Sequence, residues 1–135
     1  MAGTQPERIR LAERLPEPIS HYTDAVRAGD TLWISGMLGV DRDGAIVGGG
    51  DVAAQTEQLL SNMEALLAVC GAAMADVVRV GVYLRRMEDR AAVNEVRRRH
   101  FGDARPASTL VEVSALAHPE ALVEIEAVAH LPQPV

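Results

Sequence analysis

Two rhythms of apolar and polar positions divide this chain, and the switches between them mark its elements. From Val52 to about Val69, the residues Thr56, Leu59, Leu60, Met63, Leu66, Leu67 and Cys70 follow the i, i+3, i+4, i+7 spacing of one apolar helix face. Asp51 stands as the N-cap of that helix and Gly71 ends it. A second helix is predicted from about Asp89 to His100, with Val93, Val96 and His100 on one face. Alternation with a period of two predicts strands at Asp76–Arg85, Thr109–Val113 and Leu122–Ala129. Upstream, a turn at Gly29-Asp30 leads into the apolar run Thr31–Val40, which reads as a hairpin with a largely buried second strand. Gly36 inside that run predicts a bulge or a close backbone approach. Asp41–Gly44 reads as a turn and Ala45–Val47 as a short strand. Gly48–Gly50 lacks the Gly-Lys-Ser/Thr ending of a phosphate loop and reads as a plain loop.

The predicted order, β-β-β-α-β-α-β-β, makes one α+β domain over residues 1–135: a mixed sheet with two helices packed on one face. The other face also carries apolar residues, including valines of the last two strands. A single helix layer leaves it uncovered, so burial by other subunits is expected. Aromatics are only 3% of the chain, so the core must be built from Val, Leu, Ile and Ala.

Charge and cysteine usage narrow the partners. The net charge of -6 opposes a polyanion, and the cluster Arg97, Arg98, Arg99 with Arg85, Arg86 and Arg90 has no interleaved aromatics. It reads as a solvated, salt-bridged helix face, with no nucleic-acid partner. Cys70, the single cysteine, excludes an intrachain disulfide and falls on a helix's apolar face as a packing residue. The charged N-terminal stretch shows neither a secretion signal nor a membrane span, which predicts a cytoplasmic protein. His21, His100, His118 and His130 are scattered, and none has a second ligand at i+3 or i+4, so no metal site is expected.

Glu124 and Glu126 are the most informative polar residues. Alternation puts Leu122, Glu124, Glu126 and Val128 on one strand face, and Val123, Ile125 and Ala127 on the other. Two carboxylates in an apolar strand are expensive if buried unpaired. Either this face meets solvent or a basic partner, or a pocket raises one pKa and makes that carboxylate a general acid or base.

Several segments carry a resemblance: "SHYTDAVRAGDTLWISGMLGVDRDG", "DVAAQTEQLLSNMEALLAVCG", "DVVRVGVYLRRMEDRAAVNEV", "RPASTLVEV" and "LVEIEAVA". In this order they resemble the Rid/YjgF family of reactive-intermediate (enamine/imine) deaminases, from about Ser20 to Ala129. The resemblance implies a fold like the Bacillus-type chorismate mutase and a homotrimer with ligand clefts between subunits. It also implies a cofactor-free reaction, in which water adds to an enamine or imine and ammonia leaves. Tyr22 matches the tyrosine lining the cleft, Ser35 and Gly36 the Ser-Gly strand element, and Asn94 the helix asparagine. Glu124 matches the acidic residue that positions the attacking water, so Glu124 and Tyr22 are the catalytic candidates. Glu126 and Glu112 match acidic positions beside the cleft.

The stretch after Pro106 departs from the family pattern. Active members read Pro-Ala-Arg-Ser/Thr, with the arginine clamping a substrate carboxylate. Here Ser108 stands in the arginine's place and Thr109 follows it; both are substrate-binding candidates. Arg105 lies before the proline and is not expected to point the same way. Losing one partner of a desolvated charge pair costs ~2–5 kcal/mol, so handling of α-imino acids should weaken. Met37 replaces a common glutamine and makes the cleft more apolar. Ser20-His21 replaces a common Gly-Pro, which adds His21 as a polar group at the mouth. Together these predict a less acidic or bulkier ligand than a small imino acid. Two functional readings follow: a hydrolase or deaminase acting on a reactive enamine or imine, or a non-catalytic protein that binds or senses a small metabolite.

Overall fold

The computed structural model describes residues 5–132, and its framework is a six-stranded sheet. The strands are β1 (Glu7–Ile9), β2 (Ala25–Ala28), β3 (Thr31–Met37), β4 (Val77–Leu84), β5 (Ala107–Glu112) and β6 (Val123–His130). They lie in the order β1-β2-β3-β6-β4-β5. All neighbours are antiparallel except β4 and β5, which run parallel and are joined through a helix, as a parallel crossover requires. The helices are α1 (Val52–Val69) and α2 (Arg90–Phe101).

Asp51 caps α1: its Oδ1 accepts from the backbone N–H of Ala53 at 3.0 Å and of Ala54 at 3.2 Å. The chain leaves the helix through Gly71, whose φ of 76° a side chain would strain. Leu59, Leu60, Met63, Leu66 and Leu67 are fully buried, and so are Val93 of α2 and Val80, Val82, Val123 and Ile125 of the sheet. These residues form one core between the helices and one sheet face. Cys70 is partly buried against that core.

Two buried polar residues of α1 tie the helix to the loops around it. Gln55 donates through Nε2 to the carbonyls of Gly49 (2.7 Å) and Glu120 (3.1 Å), and accepts from Leu122 N–H at 2.8 Å. Asn62 donates to the Val40 carbonyl at 3.0 Å. Each thus satisfies backbone groups that would otherwise be buried without partners.

Two elements differ from the sequence reading. Ala45–Val47 is not a strand; a single bridge pairs Val40 with Ile46, and Gly48 and Gly49, at φ 81° and 56°, turn the chain away at once. The first strand is instead Glu7–Ile9, which pairs with β2. The bulge expected at Gly36 is present as a register shift between Ile34 and Met37 against β6. No described helix is long and apolar enough to cross a membrane.

Candidate functional site

β6 sets the site. Its residues Val123, Ile125, Ala127 and Ala129 are buried under the helices, so Glu124 and Glu126 emerge on the opposite, open face. Gly36 makes room for the first of them. A Cβ at position 36 would fall 2.1 Å from Glu124 Oε2, so the carboxylate lies across β3 only because that residue is glycine. Gly81 on β4 does the same for Glu126, where a Cβ would come within 2.6 Å of Oε2. Tyr83 Oη donates to Glu126 Oε2 at 2.7 Å and fixes the second carboxylate. Burial, and then the charge of Glu126, raise the Glu124 carboxyl above its ordinary pKa. The Tyr83 phenol is raised as well, first by its hydrogen bond to Glu126 and then by burial.

A cavity of about 450 Å3 opens at Glu124, with Tyr22, Ser35, Gly36, Met37 and His118 among its lining residues. The segment carrying Tyr22 is held from two sides. Ser35 Oγ donates to the Thr23 carbonyl at 2.6 Å, and Ser35 N–H donates to the Asp24 carbonyl at 3.0 Å. The buried Asp24 carboxylate accepts from Arg10 Nη1 at 2.6 Å and Leu11 N–H at 2.7 Å, which anchors the N-terminal segment beside the cavity. The Tyr22 ring itself is 46% exposed at the mouth. Met37 is buried and adds apolar wall. His21 is exposed and does not line the cavity.

Asn94 and Ser108 lie elsewhere. Strand register sets Ser108 beside Val80, and Val80 beside Ala127, both buried under the helices. Ser108 therefore faces the helix side of the sheet, away from Glu124. Thr109, beside Gly81 and Glu126 in the same register, faces the open side. Arg97 of α2 reaches Ser108: its Nη2 donates to Ser108 Oγ at 3.0 Å and its Nη1 to Asn94 Oδ1 at 3.2 Å. The neighbouring Arg98 and Arg99 pair with Glu95 and Glu57, the salt-bridged surface expected of this run, but Arg97 does not share it. One chain thus carries two groups of candidates on opposite sheet faces: Tyr22, Ser35, Gly36, Met37 and Glu124 at the cavity, and Asn94, Arg97 and Ser108 at the β5 edge.

Sequence reasoning passed over Asp24, took His118 as one of four scattered histidines, and read Arg97 as part of a solvated, salt-bridged helix face. The signal for His118 is its loop, which leads directly into β6 and so passes the Glu124 cavity; its Nδ1 accepts from Glu120 N–H at 3.1 Å. Glu112, by contrast, is occupied structurally and accepts from Met87 N–H at 2.8 Å. Among the described residues no group of three or more His, Cys, Asp or Glu side chains is arranged to hold a metal ion.

Comparison with known proteins agrees with this architecture. The profile of the family described as Endoribonuclease L-PSP matches residues 12–131. A RutC family protein of Pyrococcus horikoshii is 40% identical over 124 residues, covering 92% of this chain and 98% of that protein. The 3-aminoacrylate deaminase RutC of Acinetobacter baylyi is 36% identical, with 93% of this chain and 99% of that protein aligned. The 2-iminobutanoate/2-iminopropanoate deaminase of Dermatophagoides farinae is 34% identical over 91% of this chain and 95% of its own length. Among solved structures, RidA from an Antarctic Psychrobacter superposes with a TM-score of 0.85 at 32% identity, covering 93% of this chain and 99% of that one. The chain belongs to the Endoribonuclease L-PSP family, that of the Rid/YjgF and RutC proteins.

Proposed function

We propose that the protein is a cofactor-independent enamine/imine deaminase whose active site closes between neighbouring copies of a homotrimer. The observation that carries this reading is the Glu124 carboxylate, half-buried beside the cavity under Gly36 and held at a raised pKa. Relatives of similar length that carry deaminase names support the reaction class.

The chemistry needs little more than a positioned water and a proton acceptor. An enamine protonated at carbon becomes an iminium, whose carbon is already electrophilic. Water oxygen bonds to that carbon while Glu124 accepts one of its protons, and the C=N pair moves onto nitrogen. Glu124 returns the proton to nitrogen and, as the C–N bond breaks, takes the proton of the new hydroxyl; the C=O bond forms, ammonia leaves, and that proton ends on it as ammonium. A carboxylate with a raised pKa suits both halves of this exchange, since it gives its proton back at little cost. Tyr22, at the cavity mouth, is the group that orients the substrate.

The separation of Ser108 and Asn94 from Glu124 supports the inter-subunit site. A second copy that brings its β5 edge against the open cavity would complete the constellation. The family descriptor names an endoribonuclease, but two carboxylates at the cavity and a net charge of -6 oppose a phosphodiester backbone there.

The test is ammonia release from freshly generated 2-iminobutanoate and 3-aminoacrylate. The natural protein should turn over at least one, and Glu124→Gln should slow turnover by roughly 10²–10⁴-fold, the usual contribution of a general base. Activity of the natural protein should also fall in acid, as Glu124 protonates. A protein that binds these compounds or their products without releasing ammonia would instead be the metabolite-binding member.

A further inference from the structure

We propose that Arg97, delivered from α2 across Ser108, is the anion-binding residue of the site and selects substrates that carry a carboxylate. The inference rests on the inter-subunit site above. It adds a residue whose role comes from its own surroundings.

A guanidinium carries five N–H donors and is normally found against a carboxylate or phosphate when it is withdrawn from water. Arg97 uses two of them, one on Asn94 Oδ1 and one on Ser108 Oγ, both neutral acceptors. Arg98 and Arg99 on the same helix each have a glutamate partner, and no carboxylate of the described residues lies within 4.0 Å of Arg97. Its pKa falls below the ordinary arginine value, with burial as the cause. A partly buried cation held by two neutral groups, with three donors unmatched among the described residues, is open to an anionic partner. The two neutral contacts fix the plane of the fork, and such preorganisation favours a bidentate carboxylate.

The position of Ser108 gives the arrangement its meaning. By itself serine at 108 predicts a weakened grip on an acid substrate. The guanidinium that reaches its hydroxyl from the helix restores a cation at the β5 edge, so the expectation of a less acidic ligand reverses. Ser108 and Asn94 then act as positioning residues for Arg97. The substrate class is an enamine or imine whose carboxylate lies within one fork's reach of the reacting carbon.

The test compares 2-oxobutanoate, the keto acid that deamination of 2-iminobutanoate yields, with its methyl ester, titrated calorimetrically into the intact protein. The natural protein should bind the acid more tightly than the ester. Arg97→Met should weaken the acid by roughly thirty-fold or more and leave the ester unchanged, the loss expected when a desolvated charge partner is removed. Arg97→Lys, which keeps the charge but not the fork, should fall between them, with fold and assembly checked by circular dichroism and light scattering. Equal loss for acid and ester would overturn the assignment, since Arg97 would then be pairing with a neighbouring subunit. Acid binding that survives in both variants, or is absent from the natural protein, would overturn it too. Ammonia release by the natural protein and Glu124→Gln reports on the deaminase reading separately, so each idea can fail without the other.

Discussion

Gly36 and Gly39 lie close together where β3 ends, yet an added methyl group meets very different atoms at each. At Gly36 it meets the tip of Glu124, a flexible side chain that can swing aside. At Gly39 it meets the backbone of α1, with Gln55 O at 2.4 Å, which cannot move without displacing the helix. Gly36→Ala should therefore fold almost normally but lose about a hundredfold in turnover, because a carboxylate misplaced by an ångström no longer positions water. Gly39→Ala should lose stability instead, by about 1–3 kcal/mol in urea unfolding, as overpacked cores do. Glu124 itself trades the two properties. A carboxyl whose folded pKa is raised stabilises the fold below its unfolded value and loses that contribution as the pH rises through the folded pKa. Glu124→Gln should thus melt above the natural protein at pH 7, with the gain gone below about pH 4.5 in paired thermal scans; equal or lower melting at pH 7 would contradict a desolvated carboxylate. Alternation put Glu124 on the strand face opposite the core without deciding between solvent and a pocket, and the resemblance of "LVEIEAVA" singled it out as the catalytic candidate. Gln55 and Asn62 were less legible, although both fall on the apolar stripe of α1 beside Leu59 and Leu66, where a polar residue signals an internal hydrogen bond.

Among the elements, the pairing of α1 with α2 is closed on its outer side by Glu57. Its Oε2 lies 2.6 Å from His100 Nε2 and accepts from Ser61 Oγ at 3.2 Å, while its Oε1 faces Arg99 at 3.5 Å. Burial alone would raise this carboxyl, but the hydrogen bond and charge of His100, with help from Ser61 and Arg99, outweigh it and hold the pKa low. A lowered folded pKa stabilises above the unfolded value and is lost as pH falls through the folded one. Glu57→Gln should therefore destabilise by about 0.5–1 kcal/mol at pH 7, a modest effect because Glu57 is 45% exposed. The difference should shrink as urea titrations are moved below pH 4.5, and a constant difference across that range would refute the link. The helices were legible because α1 is long, periodic and capped, and α2 shares its rhythm. The Glu7–Ile9 strand was not, since three residues with two charges carry no readable period; only pairing with β2 makes it a strand. Ala45–Val47 misled in the opposite sense, being apolar enough for a strand but flanked by glycines that end it.

At the scale of the whole molecule, the sheet face opposite the helices remains open and exposes large apolar side chains as well as Glu124 and Glu126. Trp33 is 53% exposed and Val111 39%, and register places both on this face, against Val128 and Tyr83 respectively. In a chain with so few aromatics, the uncovered single tryptophan is the residue that the proposed trimer contact would bury. The uncovered face was legible from the strand pattern, because helices on one side cannot shield the other. What the pattern could not reveal is that Ser108 and Glu124 look to opposite sides, since that depends on which β5 residue pairs with Val80. The same fact ties assembly to chemistry. If the proposed trimer completes the site, breaking it must remove activity without touching Glu124 or Arg97. Trp33→Asp places a charge among the apolar side chains of this face, far in character from the catalytic chemistry, and should leave the helical signal in circular dichroism intact. Light scattering at micromolar concentration should give the natural protein three times the 14.5 kDa chain mass, and the variant a single chain. Ammonia release should fall with the trimer and recover as rising protein concentration restores it. A monomeric natural protein that still released ammonia would show that one chain gathers its own site, and the division between the two sheet faces would have to be bridged within the fold.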